Sequence, residues 1–327
     1  MSVRSIPGDS LESVRASRQI SVVFRKDEPA AQPVENGSGI PFGNKFLEPG
    51  TPYANVFREL NQMIGLDNVK ELVYEVYAML QVSQYRAEAG LVANTHVYHM
   101  VFKGNPGTGK TTVARLIAKL FQEMGILSKG HLIEVERADL VGEYIGHTAL
   151  KTRELIKKAL GGILFIDEAY SLARGGEKDF GKEAIDTLVK AMEDYKNQFV
   201  LILAGYQEEM EFFLKTNPGL PSRFPIQVDF ADYSVDQLMQ IAELMVKERQ
   251  YALLPQTEMK LRQHLVTEKL RQEDGFSNAR YVRNTIEKAM RYQAVRILQQ
   301  NQGAPSRSEL MTIRPEDLKW DKAGSQK

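Results

Sequence analysis

The segment from Gly104 to Thr111 constrains this chain more than any other, because it matches a phosphate-binding loop. Its sequence, Gly-Asn-Pro-Gly-Thr-Gly-Lys-Thr, fits the pattern of a glycine, four residues and then Gly-Lys-Thr. The apolar run at 97–102 predicts a buried strand before the loop, and apolar residues at helical spacing in 111–124 predict a helix after it. This strand–loop–helix context favours a nucleotide site over the alternative, a chance glycine-rich turn.

The residue types of this loop suit a bound phosphate chain. Glycines let the backbone approach an oxyanion closely, and the loop amides and the helix N-terminus direct partial positive charge towards it. Lys110 is expected to bridge the terminal phosphates, and the Thr111 hydroxyl is expected to bind Mg²⁺. The expected nucleotide contacts are Gly104, Asn105, Pro106, Gly107, Thr108, Gly109, Lys110, Thr111 and Thr112.

Two adjacent carboxylates, Asp167 and Glu168, follow a second apolar run at 163–166. Such a run predicts a central parallel strand buried on both faces, and open α/β sheets bind ligands at the carboxyl ends of their strands. Asp167 is therefore expected to hold Mg²⁺, and Glu168 to deprotonate the attacking water. The alternative is a strand end with two solvated acids. Together with the loop, the pair predicts Mg²⁺-dependent hydrolysis of a nucleotide.

The composition excludes several classes of protein. None of the 327 residues is cysteine, which excludes disulfides and cysteine-ligated metals and suggests a reducing compartment, the cytoplasm. The 42 basic and 42 acidic residues cancel, so no overall charge attracts nucleic acid or an anionic membrane. No run approaches the roughly 18 apolar residues that span a bilayer, and the N-terminus lacks the apolar core of a secretory signal. We therefore expect neither a nucleic-acid nor a membrane partner.

The chain divides into regions of different composition. Residues 1–53 are rich in proline, serine and glycine and are expected to form a flexible tail. Residues 54–229 alternate helical and strand-like segments, which predicts an α/β domain of the P-loop NTPase type, with a parallel sheet sandwiched by helices. Residues 230–320 predict a small all-α lid, whose first helix opens with a Ser-x-x-Gln capping box, and 321–327 a frayed tail.

The order of these motifs resembles the AAA+ ATPases. Besides the loop and the Asp-Glu pair, the chain has Pro-Ser-Arg-Phe at 221–224, followed by the helical lid. Segments 142–148 and 203–206 are similar to the branch that contains the red-type Rubisco activases, and 129–134 and 173–190 to a member of that branch from spore-forming bacteria. The resemblance covers 56–320. It implies a ring-forming ATPase, a hexamer in this family, that remodels a protein substrate during spore maturation.

The resemblance assigns roles to further residues. Arg223 aligns with the arginine finger that reaches the neighbouring subunit's ATP, the alternative being an ordinary surface arginine. Arg280 aligns with the lid arginine that senses the γ-phosphate, and Arg283, one helical turn on, is the competing candidate. Asn278 is expected to cap that helix. Tyr206 stands where many AAA+ proteins have a polar residue that positions water, so its role stays open.

Two short segments are assigned by the resemblance to the protein substrate and to the base. Tyr144, Ile145 and Gly146 align with the pore loop that grips a polypeptide in the centre of the ring, the alternative being a core tyrosine at a helix end. Ile64 and Gly65 align with the segment that packs on adenine, although an ordinary helix entry fits equally well.

Two other functions stay open on the sequence. A nucleotide-gated scaffold or loader in DNA transactions would use the same loop without threading, although the neutral charge argues against it. A small-molecule kinase would explain neither Glu168 beside Asp167 nor Arg223 before the lid. The predicted function is therefore a protein-remodelling ATPase with ATP and Mg²⁺ as cofactors and an unidentified protein substrate.

Overall fold

A computed structural model describes residues 53–92, 96–144, 146–175, 179–272, 275–300 and 303–320. Apart from Tyr53, the predicted flexible segment 1–53 lies outside the described residues, as does the predicted tail 321–327. Tyr53 precedes the first helix and packs edge-on against Phe57, with ring centroids 6.3 Å apart. Among the described helices, none is long and apolar enough to cross a bilayer.

Five parallel strands form the central sheet. They are β1 (Met100–Gly104), β2 (Leu132–Val135), β3 (Ile163–Ile166), β4 (Val200–Gly205) and β5 (Ile226–Phe230). Their spatial order is β2-β3-β4-β1-β5, so the strand that precedes the glycine loop lies between β4 and β5. Every residue of β1, β3 and β4 is buried, as expected for parallel strands covered on both faces.

Helices cover both faces of this sheet. They are α1 (Ala54–Gln62), α2 (Asp67–Glu88), α3 (Lys110–Glu123), α4 (Arg137–Leu140), α5 (His147–Ala159), α6 (Gly181–Asp194), α7 (Gln207–Lys215) and α8 (Leu220–Arg223). Alternate strand residues point to opposite faces, so Phe102 and Phe165 enter one hydrophobic cluster while Val101 and Leu164 enter the other. Helices α1 to α3 pack in the first cluster, and α4 to α8 in the second.

The register of the strands brings three loops to one edge of the sheet. Lys103 of β1 lies opposite Gly205 of β4, and Ile166 of β3 lies opposite Leu203 of β4. The loops after β1, β3 and β4 therefore leave the sheet side by side at its carboxyl edge. They carry the glycine-rich segment, the Asp-Glu pair and Tyr206.

A helical lid follows the sheet. Its elements are α9 (Val235–Glu248), β6 (Ala252–Leu253), α10 (Pro255–Arg271), α11 (Asn278–Gln300), α12 (Arg307–Met311) and β7 (Thr312–Ile313). The predicted capping box is present, with the Ser234 side chain accepting from the Gln237 amide at 3.1 Å. Leu238 and Ile286 of the lid belong to the same hydrophobic cluster as Phe102, so the lid shares a core with one face of the sheet.

The structure adds three details to the predicted elements. Strand β5 had no predicted counterpart, because it is an edge strand whose burial alternates instead of forming a continuous apolar run. Strand β1 begins at Met100 and not at residue 97, since the Leu201 amide donates to His99 Nδ1 at 3.0 Å, where a backbone pair would otherwise form. The lid, predicted as wholly helical, also contains the two-residue parallel pair of β6 and β7.

Candidate nucleotide site

The glycine loop turns its first two carbonyl groups towards its own lysine. Gly104, Gly107 and Gly109 have φ angles of +149°, +72° and +101°, a region that L side chains rarely adopt. Lys110 Nζ donates to the carbonyl oxygens of Gly104 and Asn105 at 2.7 and 2.8 Å. The Lys110 side chain therefore lies inside the loop and joins its first two residues through these hydrogen bonds.

The next three loop carbonyls are bound from the lid and from the linker that leads to it. The hydrogen bonds are Asn278 Nδ2 to Pro106 O (3.4 Å), Ala279 N to Gly107 O (3.2 Å) and Tyr233 Oη to Thr108 O (3.1 Å). Burial raises the pKa of Tyr233 to about 12, so its hydroxyl stays protonated and able to donate at neutral pH. In a trans peptide the N–H group points away from the C=O group. Because these three carbonyls point out of the loop, the N–H groups of the same peptides point into it, where they can bind an oxyanion.

The pKa of Lys110 lies close to neutral pH. Burial lowers the pKa of Lys110 to about 8, and the positive Arg280 nearby also lowers it, while Asp167, Asp232 and Glu168 act in the opposite direction. A buried ammonium without a full counter-charge is costly, and a phosphate group would supply that counter-charge. The loop thus presents both a geometric and an electrostatic match to phosphate.

The two carboxylates lie at the end of β3, and the backbone between them is strained. The Asp167 amide donates to Val135 O at 3.0 Å and so extends the pairing of β3 with β2. Glu168 follows with φ of +47°, a left-handed conformation that is unfavourable for a residue other than glycine. Its carbonyl accepts from the Ser171 amide at 2.8 Å, which begins a 3₁₀ turn. Asp167 and Glu168 line the same cavity as Lys110.

The oxygen groups beside the loop fit Mg²⁺. The Thr111 hydroxyl lies 3.5 Å from a carboxylate oxygen of Glu134, and Asp167 faces the same cavity. Mg²⁺ is commonly held by one or two carboxylates together with water and substrate phosphates. Within the described ranges, no group of three His, Cys, Asp or Glu side chains could hold a metal alone. These residues therefore suit a metal that arrives with a nucleotide.

A cavity of about 890 Å³ runs from the loop to an apolar end between sheet and lid. The apolar end is lined by Met63, Ile64, Ile241, Leu244 and Met245. Gly65 and Leu66 beside it have φ of +62° and +61°, and buried Lys70 supports this turn by donating to Met63 O at 2.7 Å. Polar groups at one end and aliphatic side chains at the other match a nucleotide, whose base is flat and largely apolar.

Both candidate lid arginines, Arg280 and Arg283, line this cavity. Arg280 lies against the loop, because a Cβ built on Gly107 would be 3.1 Å from Arg280 Cβ. Arg280 also lowers the pKa of Lys110. The geometry thus favours Arg280 over Arg283 as the arginine nearest the phosphate position. Tyr206 lines the cavity too, at the end of β4.

The predicted capping role of Asn278 is wrong. Asn278 is the first residue of α11, and the carbonyl of Ser277 accepts the amides of Arg280 and Tyr281. The Asn278 side chain is instead used outside the helix, where its Oδ1 accepts from the Tyr233 amide at 3.0 Å. The residue therefore joins the helix to the linker before the lid.

Arg223 lies away from the cavity of its own protomer. It ends α8, its guanidinium donates to Gly219 O at 2.8 Å, and it forms an ion pair with Glu193. Its Nε is buried and has no hydrogen-bond partner among the described residues. Because Glu193 is more than half exposed, the pair lies where another molecule can reach it.

Tyr144 and Gly146, the described residues of the predicted pore segment, are exposed. Tyr144 is 65% exposed and packs edge-on against His147 at 5.4 Å, which contradicts the alternative of a core tyrosine. Gly146 has φ of +82° and directly precedes α5. Ile145 lies outside the described residues.

Several residues of the site had no sequence prediction. Asp232 and Tyr233 contact the loop from the linker after β5, and Ile241, Leu244 and Met245 of α9 line the apolar end. No short motif marks Asp232 and Tyr233, because their partners in the loop, Asn105 and Thr108, lie more than 100 positions away. The nearest signal was the Ser-x-x-Gln capping box, which fixed the start of the helix that carries the apolar residues.

Comparison with known proteins gives matches over both domains. Residues 100–231 match the family described as ATPase family associated with various cellular activities (AAA), and 234–327 match the AAA lid domain. The chain is 63% identical to Stage V sporulation protein K of Bacillus subtilis (strain 168) over 80% of this chain and 81% of that protein. It is 43% identical to the chloroplastic ribulose bisphosphate carboxylase/oxygenase activase of Cyanidioschyzon merolae, over 79% and 87%.

The fold has solved counterparts as well. The AAA domain of FIGL-1, determined in complex with ADP, superposes with a TM-score of 0.54 at 16% identity, over 79% of this chain and 80% of that one. At that identity the likeness supports the fold alone. The family matches and the two relatives carry the assignment: this chain belongs to the AAA+ ATPases, with an AAA domain and an AAA lid, and it is related to Stage V sporulation protein K and to the Rubisco activases.

Proposed function

We propose that this AAA+ ATPase hydrolyses ATP with Mg²⁺ in a hexameric ring and uses the energy to remodel a protein partner during spore maturation. The observation that supports the proposal is the convergence of Lys110, Asp167 and Glu168 on one cavity, beside a loop whose carbonyls at 106–108 are bound from the lid and the linker. The relation to Stage V sporulation protein K supports the setting in sporulation.

Each residue of the phosphate end has a separate task in this proposal. The loop amides and Lys110 bind the β- and γ-phosphates, and Arg280 reaches the γ-phosphate from the lid. Thr111 and Asp167 hold Mg²⁺, which neutralises phosphate charge when bound. Glu168 orients water and accepts its proton as the water oxygen attacks the γ-phosphorus, and the bond from that phosphorus to the bridging oxygen breaks to release ADP.

The apolar end binds the base. Ile64, which precedes Gly65, lines it from the sheet domain, and α9 closes it from the lid. A base that contacts both domains makes the angle between them depend on the nucleotide. Because ATP and ADP share this base, hydrolysis would move the lid through the loss of the γ-phosphate that Arg280 meets.

The ring supplies the remaining cation. Arg223 is held by Glu193 in its own protomer, and in the ring it exchanges this carboxylate for the γ-phosphate of the neighbouring subunit. An arginine supplied in this way stabilises charge that develops in the transition state. ATP hydrolysis therefore depends on contact between subunits.

A mixing experiment tests this arrangement. Glu168→Gln removes the general base and Arg223→Ala removes the finger, so each variant alone should lose about a hundredfold or more in turnover. In mixed rings, an Arg223→Ala subunit beside a Glu168→Gln subunit has an intact Glu168 and receives an intact Arg223. Recovery of ATPase activity on mixing is expected. If the two variants formed mixed rings and ATPase activity did not recover, an Arg223 that acts between subunits would be contradicted.

Tyr144 tests threading. We expect casein, an unfolded polypeptide, to stimulate hydrolysis by the natural chain, and Tyr144→Ala to abolish the stimulation while leaving basal hydrolysis unchanged. Tyr85→Ala is the matched control, because Tyr85 is 63% exposed on α2 and lies outside the segment. Stimulation that survives Tyr144→Ala would favour a scaffold or loader over a motor.

A further inference from the structure

One buried polar residue joins the lid to the linker and the phosphate loop at once. Asn278 is wholly buried at the start of α11 and has φ of +45°. Its Nδ2 group donates to Asp232 Oδ1 at 2.7 Å and to Phe276 O at 2.8 Å, and lies 3.4 Å from Pro106 O. A non-glycine residue in this conformation persists only when its surroundings fix it, and these hydrogen bonds do so.

Asp232 is the hub of this arrangement. It lies between β5 and α9, in the linker across which the lid must turn. Its two carboxylate oxygens lie 3.1 and 3.0 Å from Asn105 Nδ2, and Oδ1 also accepts from Asn278 Nδ2. One carboxylate therefore bridges the second residue of the phosphate loop and the first residue of the lid helix.

The bridge through Asp232 holds the start of α11 against the phosphate loop. The Ala279 amide, next in the helix, donates to Gly107 O at 3.2 Å. Contact here is so close that a Cβ on Gly107 would be 2.3 Å from Ser277 O. Arg280 follows one residue later on the same helix, so its position relative to the phosphates depends on how the helix start is held.

We propose that Asp232 is a positioning residue that sets Arg280 relative to the γ-phosphate by clamping Asn105 and Asn278 together. The proposal rests on the role of Arg280 proposed above. A carboxylate suits the task because it only accepts, and both amide groups that face it donate. An amide at position 232 offers a single acceptor oxygen and turns an NH₂ group towards one of them.

The effect of Asp232 should be specific for ATP over ADP, because only ATP has the γ-phosphate that Arg280 meets. Affinities for mant-ATP and mant-ADP are measured in the Glu168→Gln background, in which ATP persists. Asp232→Asn should lower the preference for ATP by about tenfold, the scale of one hydrogen bond to a charged group. Arg280→Ala should lower it at least as much, and the double variant should equal Arg280→Ala alone.

A transposed pair gives the rescue. Asn105→Asp alone sets two carboxylates face to face and should lower the ATP preference more than Asp232→Asn does. In the double variant Asn105→Asp/Asp232→Asn, the new amide donates to position 105 and accepts from Asn278, so both hydrogen bonds can form. Recovery of the ATP preference to within about threefold is expected, and thermal unfolding monitors the fold of each variant.

Three outcomes would count against this role. If Asp232→Asn lowered the affinities for mant-ATP and mant-ADP equally, Asp232 would be a structural support only. The same conclusion would follow if Asp232→Asn lowered the ATP preference just as much in the Arg280→Ala background. Failure of the transposed pair, folded as judged by thermal unfolding, would also overturn the clamp. By contrast, an Arg280→Ala variant with unchanged nucleotide preference would overturn the proposed role of Arg280 itself.

Discussion

The two ends of the cleft are built on different principles. The phosphate end is made mainly of backbone groups from one continuous segment, and all of its carbonyls from Gly104 to Thr108 accept hydrogen bonds. The apolar end is made of aliphatic side chains from two distant segments, with α9 contributing most of them. Backbone groups cannot be replaced one by one, whereas aliphatic side chains can repack. We therefore expect the phosphate end to tolerate far less change than the apolar end.

The largest effect is expected at Gly107. Gly107→Ala places a side chain at φ of +72° and a Cβ 2.3 Å from Ser277 O, so the loop and the lid helix must separate. The left-handed conformation costs about 1–2 kcal/mol and the clash adds to it, so ATP affinity should fall by about a hundredfold or more. Fluorescent-nucleotide titration measures the loss.

Gly90→Ala is the control for this change. Gly90 has nearly the same φ, +70°, but nothing lies within 4 Å of its added Cβ. It should lower stability by about 1 kcal/mol and leave ATP affinity unchanged. If Gly107→Ala kept native ATP affinity, the expected difference in tolerance to substitution between the phosphate end and the apolar end would be contradicted.

A smaller effect is expected from pH at Lys110. With the pKa of Lys110 lowered to about 8 by burial, the lysine is charged below pH 8 and neutral above it in the free protein. Phosphate binding requires the charged form, so affinity should fall up to about tenfold per unit above pH 8, with proton uptake on binding. Calorimetry in buffers of different ionisation enthalpy measures that uptake. In Lys110→Arg, whose guanidinium stays charged, the dependence should disappear.

The smallest effect is expected at the apolar end. Leu244 is 45% exposed and lines the apolar end, and Leu244→Ala removes three carbon atoms from this end. A loss of about 1 kcal/mol, roughly fivefold in ATP affinity, should follow. Leu298→Ala, at a side chain 82% exposed on α11 and outside the cavity lining, should have no effect. A loss at Leu244 as large as that at Gly107 would show that both ends are equally intolerant.

This difference also explains what could be predicted from the sequence. The glycine loop and the Asp-Glu pair are short and contiguous, so their residue types and their flanking apolar runs predicted the strands and the edge of the sheet where they meet. Asp232 and the α9 residues act through contacts formed only by the folded chain, and no spacing marks them. Strand β5 was missed for a related reason, since an edge strand with one buried face lacks a continuous apolar run.

The sequence pattern at the start of α11 predicted a capping role for Asn278 that the structure contradicts, and the reason is physical. An asparagine before a helical stretch usually caps it, but here the loop and linker offer Asn278 partners that the helix amides do not. Contacts between domains thus override local preference at the position where the lid meets the phosphate loop.

The central claim is that ATP bound in this cleft assembles subunits so that Arg223 completes the neighbouring site. Light scattering on Glu168→Gln, with and without ATP and Mg²⁺, tests it most directly, because this variant should retain ATP. We expect an ATP-dependent shift from lower mass to one discrete species of about six 37.0 kDa chains, and loss of that shift in Lys110→Ala. A variant that binds ATP yet stays at 37.0 kDa would contradict the ring and the roles of Arg223 and Tyr144 with it.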